Sequence, residues 1–82
     1  MWERGSFEIN GHKFIYDAKV YSVGSSYGID KGRISKLRIV NDIGPDSWSW
    51  DNTIVNYDRG WDINPKTELH EMALQFVLDL YK

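Results

Sequence analysis

The chain contains no cysteine. That absence removes disulfides, thiolate nucleophiles and zinc sites built on Cys together, and it fits a reducing compartment. Histidine occurs only at His12 and His70, and proline only at Pro45 and Pro65. No apolar run approaches the roughly 20 residues of a membrane span, so no membrane partner is expected. The start, Met1-Trp2-Glu3-Arg4-Gly5, lacks an apolar signal core and reads as part of the mature fold. The formal net charge is only −2, so the total does not point to a strongly electrostatic partner. With 82 residues there is no room for a second domain. A chain this short buries only about 60% of its unfolded surface, so its stability is expected to be marginal unless a partner helps.

What the chain has in quantity is aromatic side chains. Four Trp, five Tyr and three Phe make 15% of it, and such residues bring large buried area to a small core. Charge is unevenly spread. Residues 1–40 hold seven basic against four acidic side chains, a net of +3, while residues 41–82 hold three against eight, a net of −5. One positive and one negative surface would follow unless the halves interleave in space.

Asn10-Gly11 is the preferred pair for a two-residue type I′ hairpin turn, with alternating residues on both sides. A turn there pairs Ile9 with His12, Phe7 with Phe14, Gly5 with Tyr16 and Glu3 with Ala18. The other face then pairs Glu8 with Lys13, Ser6 with Ile15, Arg4 with Asp17 and Trp2 with Lys19. Two charge pairs and one aromatic pair fall into place, and the Tyr16 ring covers the bare Gly5. Strand two runs to about Tyr21, with Phe14, Tyr16, Ala18 and Val20 inward. A loop with glycines at 24, 28 and 32 leads to a third strand from Arg33 to about Asn41. Asp42-Ile43-Gly44-Pro45-Asp46 is a breaker cluster, and a fourth strand runs from about Thr53 to Asp58. Trp48-Ser49-Trp50 either extends that strand or lies in the loop. Gly60 is expected to end the sheet.

Asn64-Pro65 is expected to open a C-terminal helix, with Asn as N-cap and Pro at the first helical position. Leu69, Met72, Ala73, Phe76, Val77 and Leu80 repeat at helical spacing and are assigned to the sheet-facing stripe. Leu74, Leu78 and Tyr81 fall outside it and widen the apolar arc to about 240°. The excess is left for the Gly-rich loop, the Trp48/Trp50 segment or a second subunit to cover, so homodimerisation through Leu74, Leu78 and Tyr81 is one expectation. Residues 1–82 therefore read as a single ββββα domain of the α+β class: a four-stranded antiparallel β-meander with a C-terminal α-helix packed on one face.

Little supports catalysis, and no enzyme is expected. Nothing in the spacing sets His12 or His70 beside a particular hydroxyl. Asp58-Arg59-Gly60-Trp61-Asp62 invites a metal, but the EF-hand pattern is absent and Arg59 opposes a cation. Pairing of Asp58 and Asp62 with Arg59, or with cations of the basic half, is the simpler reading. The Gly24/Gly28/Gly32 loop leads into a strand rather than a helix, so it reads as a flexible hairpin connection and not a phosphate cradle. No metal and no cofactor is expected.

Two binding readings remain. Trp48 and Trp50 share one side of an extended segment and are either folded back over the core or exposed as interface anchors. With Tyr57, Arg59 and Trp61 nearby they form a candidate protein-binding set. If Phe7, Phe14 and Tyr16 face the helix, the opposite sheet face carries Trp2, Lys13, Ile15, Lys19, Tyr21, Lys36 and Arg38. Lys13, Lys19, Lys36 and Arg38 interleaved with Tyr21 form a candidate grip on single-stranded nucleic acid. Against it stand the negative total charge and the simpler role of lysines in keeping a sheet face solvated.

The segments Tyr27-Gly28-Ile29-Asp30-Lys31-Gly32-Arg33-Ile34-Ser35-Lys36-Leu37 and Tyr57-Asp58-Arg59-Gly60-Trp61-Asp62-Ile63, with the short length and closing amphipathic helix, resemble a family of small uncharacterised proteins encoded by bacteriophages and prophages. The resemblance spans most of the chain and transfers no functional residues. It implies a phage or prophage origin, the cytoplasm of a bacterial host and an accessory role. Together these readings lead to a non-enzymatic interaction protein, with single-stranded nucleic-acid binding as the alternative.

Overall fold

Asn10 and Gly11 take φ of +52° and +84°, the left-handed pair of a type I′ turn. The computed structural model, which describes residues 1–82, closes its first hairpin on them. Strand β1 is Trp2–Ile9 and β2 is His12–Val20. All eight cross-strand pairs, from Trp2 opposite Lys19 to Ile9 opposite His12, match the register that the turn dictates. The Tyr16 ring lies over Gly5 so closely that a Cβ there would stand 2.8 Å from it.

Strand β3 is Ile34–Asn41, β4 is Thr53–Asp58, and the helix α1 is Glu68–Leu80. A fifth strand, β5, runs Trp61–Ile63 and pairs antiparallel with β4. The sheet therefore has five strands in sequence order, not four. Gly60 does not end it. Arg59, at φ +59°, helps turn the chain back on itself, and three residues are too few to show any alternation in the sequence. Trp48-Ser49-Trp50 does not extend β4 and is not an extended segment: Trp48 lies in a turn, and Trp50–Asn52 is one 3₁₀ turn.

The helix starts later than the Asn64-Pro65 signal implies. Its N-cap is Thr67, whose Oγ1 accepts the backbone N–H of His70 at 3.1 Å. Because β5 continues to Ile63, the intervening residues are needed to redirect the chain. The packed stripe also differs from the expected one. Ala73, Leu74 and Val77 are buried, and Leu69, Leu78 and Tyr81 pack half-buried against the core, whereas Met72, Phe76 and Leu80 are exposed. Leu74, Leu78 and Tyr81, for which a second subunit is one of three expected covers, thus pack in the chain's own core. An apolar arc of about 240° offers two overlapping stripes, and periodicity cannot choose between them. The choice falls to complementary partners on the sheet. The Tyr81 hydroxyl meets that of Tyr16 at 2.6 Å, with the rings edge-on at 6.1 Å. Phe76 lies nearer the rim, stacked on Phe7 at 4.5 Å.

The inner face of the sheet supplies Phe14, Tyr16, Ala18, Leu37, Ile39, Val55 and Tyr57 to one hydrophobic cluster with the helix. A register shift at Lys19/Val20 leaves Ser35 without a partner on β2 and returns Ile34 to the inner face, where it is 2% exposed.

Burial, reinforced by the Tyr16 hydroxyl, holds the Tyr81 phenol above its ordinary value of 10.0. An unfolded chain then loses this proton before the folded one does. The stabilisation is complete below pH 10 and is expected to fade as pH rises beyond it. Denaturant midpoints measured between about pH 9 and pH 12 are expected to fall, and Tyr81→Phe is expected to flatten part of that slope. An unchanged slope in the variant would remove Tyr81 as the source.

Candidate functional site

Alternation along the strands builds a second face, away from the helix. One row across β1 to β4 is Trp2, Lys19, Lys36 and Asp58. The next is Arg4, Asp17, Arg38 and Asn56, and the third is Ser6, Ile15, Val40 and Thr53. Val40 is completely buried yet lies outside the helix-side cluster. Its cover is the segment 42–52, which folds back over this face.

That segment is tied down by polar side chains. Ser47, 1% exposed, donates to the Gly44 carbonyl at 2.7 Å and accepts the Ile43 N–H at 2.8 Å. Asn52 donates to the carbonyls of Asn41 and Ser47, both at 2.7 Å, and accepts from Asn41 Nδ2 at 3.1 Å. Arg38 reaches up from β3, donating through Nε to Thr53 Oγ1 at 3.1 Å and through Nη2 to the Trp48 carbonyl. Its guanidinium lies 5.6 Å from the ring centres of both Trp48 and Trp50, and Arg4 lies 5.0 Å from Trp48. Cations and indoles thus alternate as Arg4, Trp48, Arg38, Trp50. Trp48 is half-buried by this arrangement, while Trp50 and Trp2 remain 58% and 55% exposed.

The five residues of the protein-binding set do not form one patch. Trp48 and Trp50 lie on the outer face. Tyr57 is on the inner face, 8% exposed, and its hydroxyl donates to the Tyr27 carbonyl at 2.8 Å. It is a core residue and is corrected as a contact. Trp61 stands opposite Tyr57 on β5, edge-on at 5.0 Å, and so looks to the helix side. Arg59 occupies the β4–β5 turn. In the nucleic-acid set, Lys19, Lys36 and Arg38 do share the outer face, with Tyr21 just past β2 and 5.7 Å from the Lys19 ammonium. Lys13 lies on the same face, opposite Glu8 towards the hairpin tip.

Carboxylates are interspersed among these cations. Arg4 pairs with Asp17 and Lys36 with Asp58, each at 3.6 Å. Asp62 accepts from Asn56 Nδ2 at 3.0 Å. Arg59 therefore pairs with neither neighbouring aspartate. No three His, Asp or Glu residues converge as metal ligands would. His70 has its imidazole pushed down by burial, and neither histidine side chain is hydrogen-bonded to a hydroxyl. No helix is long and apolar enough to cross a membrane.

Sequence reasoning missed Arg4 as part of this site, although its place opposite Asp17 was legible. It also missed Ser47 and Asn52, short polar residues whose anchoring roles carry no periodic signal. The glycine loop differs from expectation too. It is laced by its own backbone, Ser25 N–H to Gly32 carbonyl at 3.1 Å and Gly32 N–H to Ile29 carbonyl at 2.9 Å. A Cβ on Gly28 would run into the Gly32 carbonyl, so that glycine serves close approach rather than flexibility.

The two segments that carry the family resemblance meet in space. The Tyr57 hydroxyl binds the Tyr27 carbonyl, the Arg59 N–H binds the Ser35 carbonyl at 3.1 Å, and Asp58 pairs with Lys36. No curated protein and no solved structure matches the chain. A family model described as Domain of unknown function (DUF7678) matches residues 1–82, and the chain belongs to that family.

Proposed function

We propose that this protein is a non-enzymatic accessory protein of a bacteriophage or prophage, acting in the host cytoplasm by binding a protein partner through the outer face of its sheet. The resemblance of its two paired segments supports the origin. The observation that carries the binding reading is that Trp48 and Trp50 are held against arginines on that face, where Trp50 and Trp2 are more than half exposed. Trp and Arg are the side chains that most often dominate binding energy at interfaces. An indole fixed against Arg38 before binding also loses less conformational entropy on association. Asp17 and Asp58 stand among the cations of the same face, which favours a protein over a phosphate backbone.

The test is capture from host lysate on immobilised protein, comparing wild type, Trp50→Ala and, as a helix-side control, Met72→Ala. Trp50 is exposed, so its loss is expected to leave the far-UV circular dichroism unchanged while weakening capture about tenfold or more. Met72→Ala is expected to capture normally. Capture that survives Trp50→Ala, also combined with Trp2→Ala, would sink the reading. Binding of short single-stranded oligonucleotides that falls steeply with salt would replace it with the nucleic-acid alternative, through Lys19, Lys36 and Arg38.

A further inference from the structure

A cleft of about 410 Å³ opens between the segment after β2 and the β4–β5 turn, walled by Tyr21, Val23, Gly24, Tyr27, Ser35 and Arg59. Its volume is within the range of small-molecule sites, roughly 300–1,000 Å³. Ser35 is 5% exposed, and its Oγ is the one buried side-chain polar atom in the protein with no hydrogen-bond partner. A buried hydroxyl left unpaired costs stability, so such groups are rare, and a bound group that supplies the missing partner is one way to satisfy them. The bulge opposite Lys19 and Val20 is what frees Ser35 from the strand pairing.

Arg59 is the only charged residue lining the cleft, and Lys19 stands outside it, beyond the Tyr21 ring. The three ion pairs of the protein join Arg4 to Asp17, Lys36 to Asp58 and Lys82 to Asp79, so Arg59 and Lys19 have no carboxylate partner. No acidic residue lines the cleft. Lys19 stands beside the Tyr21 ring and, by hydrogen bonding and by its charge, lowers the phenol's pKa. A guanidinium, a phenol, a buried hydroxyl and a nearby ammonium are all donors, and two uncompensated positive charges match the −1.5 to −2 of a phosphate monoester, roughly, better than the single charge of a carboxylate. Of the other lining residues, Tyr27 and Val23 offer apolar surface and are more than half exposed.

We propose that this cleft binds a small-molecule phosphate monoester, with Arg59, Tyr21 and Ser35 on the phosphate and Tyr27 and Val23 against its organic part. The site is separate from the tryptophan face and does not rest on the protein-partner reading. A larger cavity of about 560 Å³ on the other side of the 22–24 segment lacks these features. Its Arg33 is already occupied by the carbonyls of Tyr21 and Lys82.

Titration with phenyl phosphate, inorganic phosphate and phenylacetate, followed by backbone amide shifts, tests this. Saturable shifts are expected at residues 21–27, Ser35 and Arg59, with phenyl phosphate binding more tightly than either other probe. Arg59→Gly suits the positive φ of that turn, so it removes the guanidinium without straining the backbone. It is expected to weaken phenyl phosphate by roughly tenfold or more. Ser35→Ala is expected to weaken binding as well, yet to unfold at the same or a higher temperature than wild type, because it deletes an unpaired buried hydroxyl. The proposal is overturned by the absence of saturable shifts at the cleft, by unchanged affinity in Arg59→Gly, or by phenylacetate binding as tightly as phenyl phosphate. None of these results bears on Trp50.

Discussion

Phe14→Ala is expected to remove about 3–5 kcal/mol of stability. The ring is completely buried at the centre of the inner face and 5.4 Å from that of Phe7. Truncation deletes its transfer free energy and leaves a cavity, because the paired strands on both sides cannot collapse into the space. At roughly 0.05–0.15 kcal/mol per residue, a chain of this length has only about 4–12 kcal/mol in all. The variant should therefore lose between about a quarter and all of its stability. Urea denaturation followed by circular dichroism measures the loss directly. A midpoint shift worth less than about 1 kcal/mol would mean that Phe14 is not at the centre of the core.

Arg38→Ala is expected to release the 42–52 segment from the sheet. The side chain makes hydrogen bonds to Thr53 and to the Trp48 carbonyl and lies against two indoles. Hydrogen bonds to a charged group contribute about 1.5–3 kcal/mol each, and exposed cation–π contacts about 0.5–1 kcal/mol. Since these terms overlap, a loss of about 2–4 kcal/mol is expected, concentrated in that segment. The amides of residues 42–52 should exchange faster, and tryptophan emission should shift to longer wavelength as Trp48 becomes solvated. Arg38→Lys is expected to rescue little, because a single ammonium cannot serve a hydroxyl, a carbonyl and two ring faces with one rigid plane. Unchanged emission and exchange in Arg38→Ala would show that Ser47 and Asn52 suffice to hold the segment. The order of the tryptophan face would then rest on those two residues and not on Arg38.

The two faces of the sheet divide the labour. The helix covers one, and the other is half-covered by a loop that turns aromatic side chains outward. That division explains why the tryptophans could not be assigned from the chain alone. Trp48 is both of the things foreseen for it, part cover and part surface, since its ring shields the sheet while lying between two arginines. Tyr57 and Trp61 follow Trp50 by seven and eleven residues, yet the alternation of β4 and β5 carries them to the opposite side.

Local rules determined the first hairpin, the α+β class, the antiparallel order and the presence of the closing helix. In each case a short-range cause acts alone: the left-handed turn at Asn10-Gly11 sets a register, and a period of two or 3.6 sets an element. Tertiary structure alone decided which stripe of the helix packs, that a fifth strand follows Gly60, and that Ser35 is turned into a cleft beside Arg59. These outcomes depend on partners distant in sequence: Tyr81 finds Tyr16, and Arg59 finds the backbone of Ser35. Such choices follow from which groups can satisfy one another across space, and a one-dimensional pattern holds no record of that.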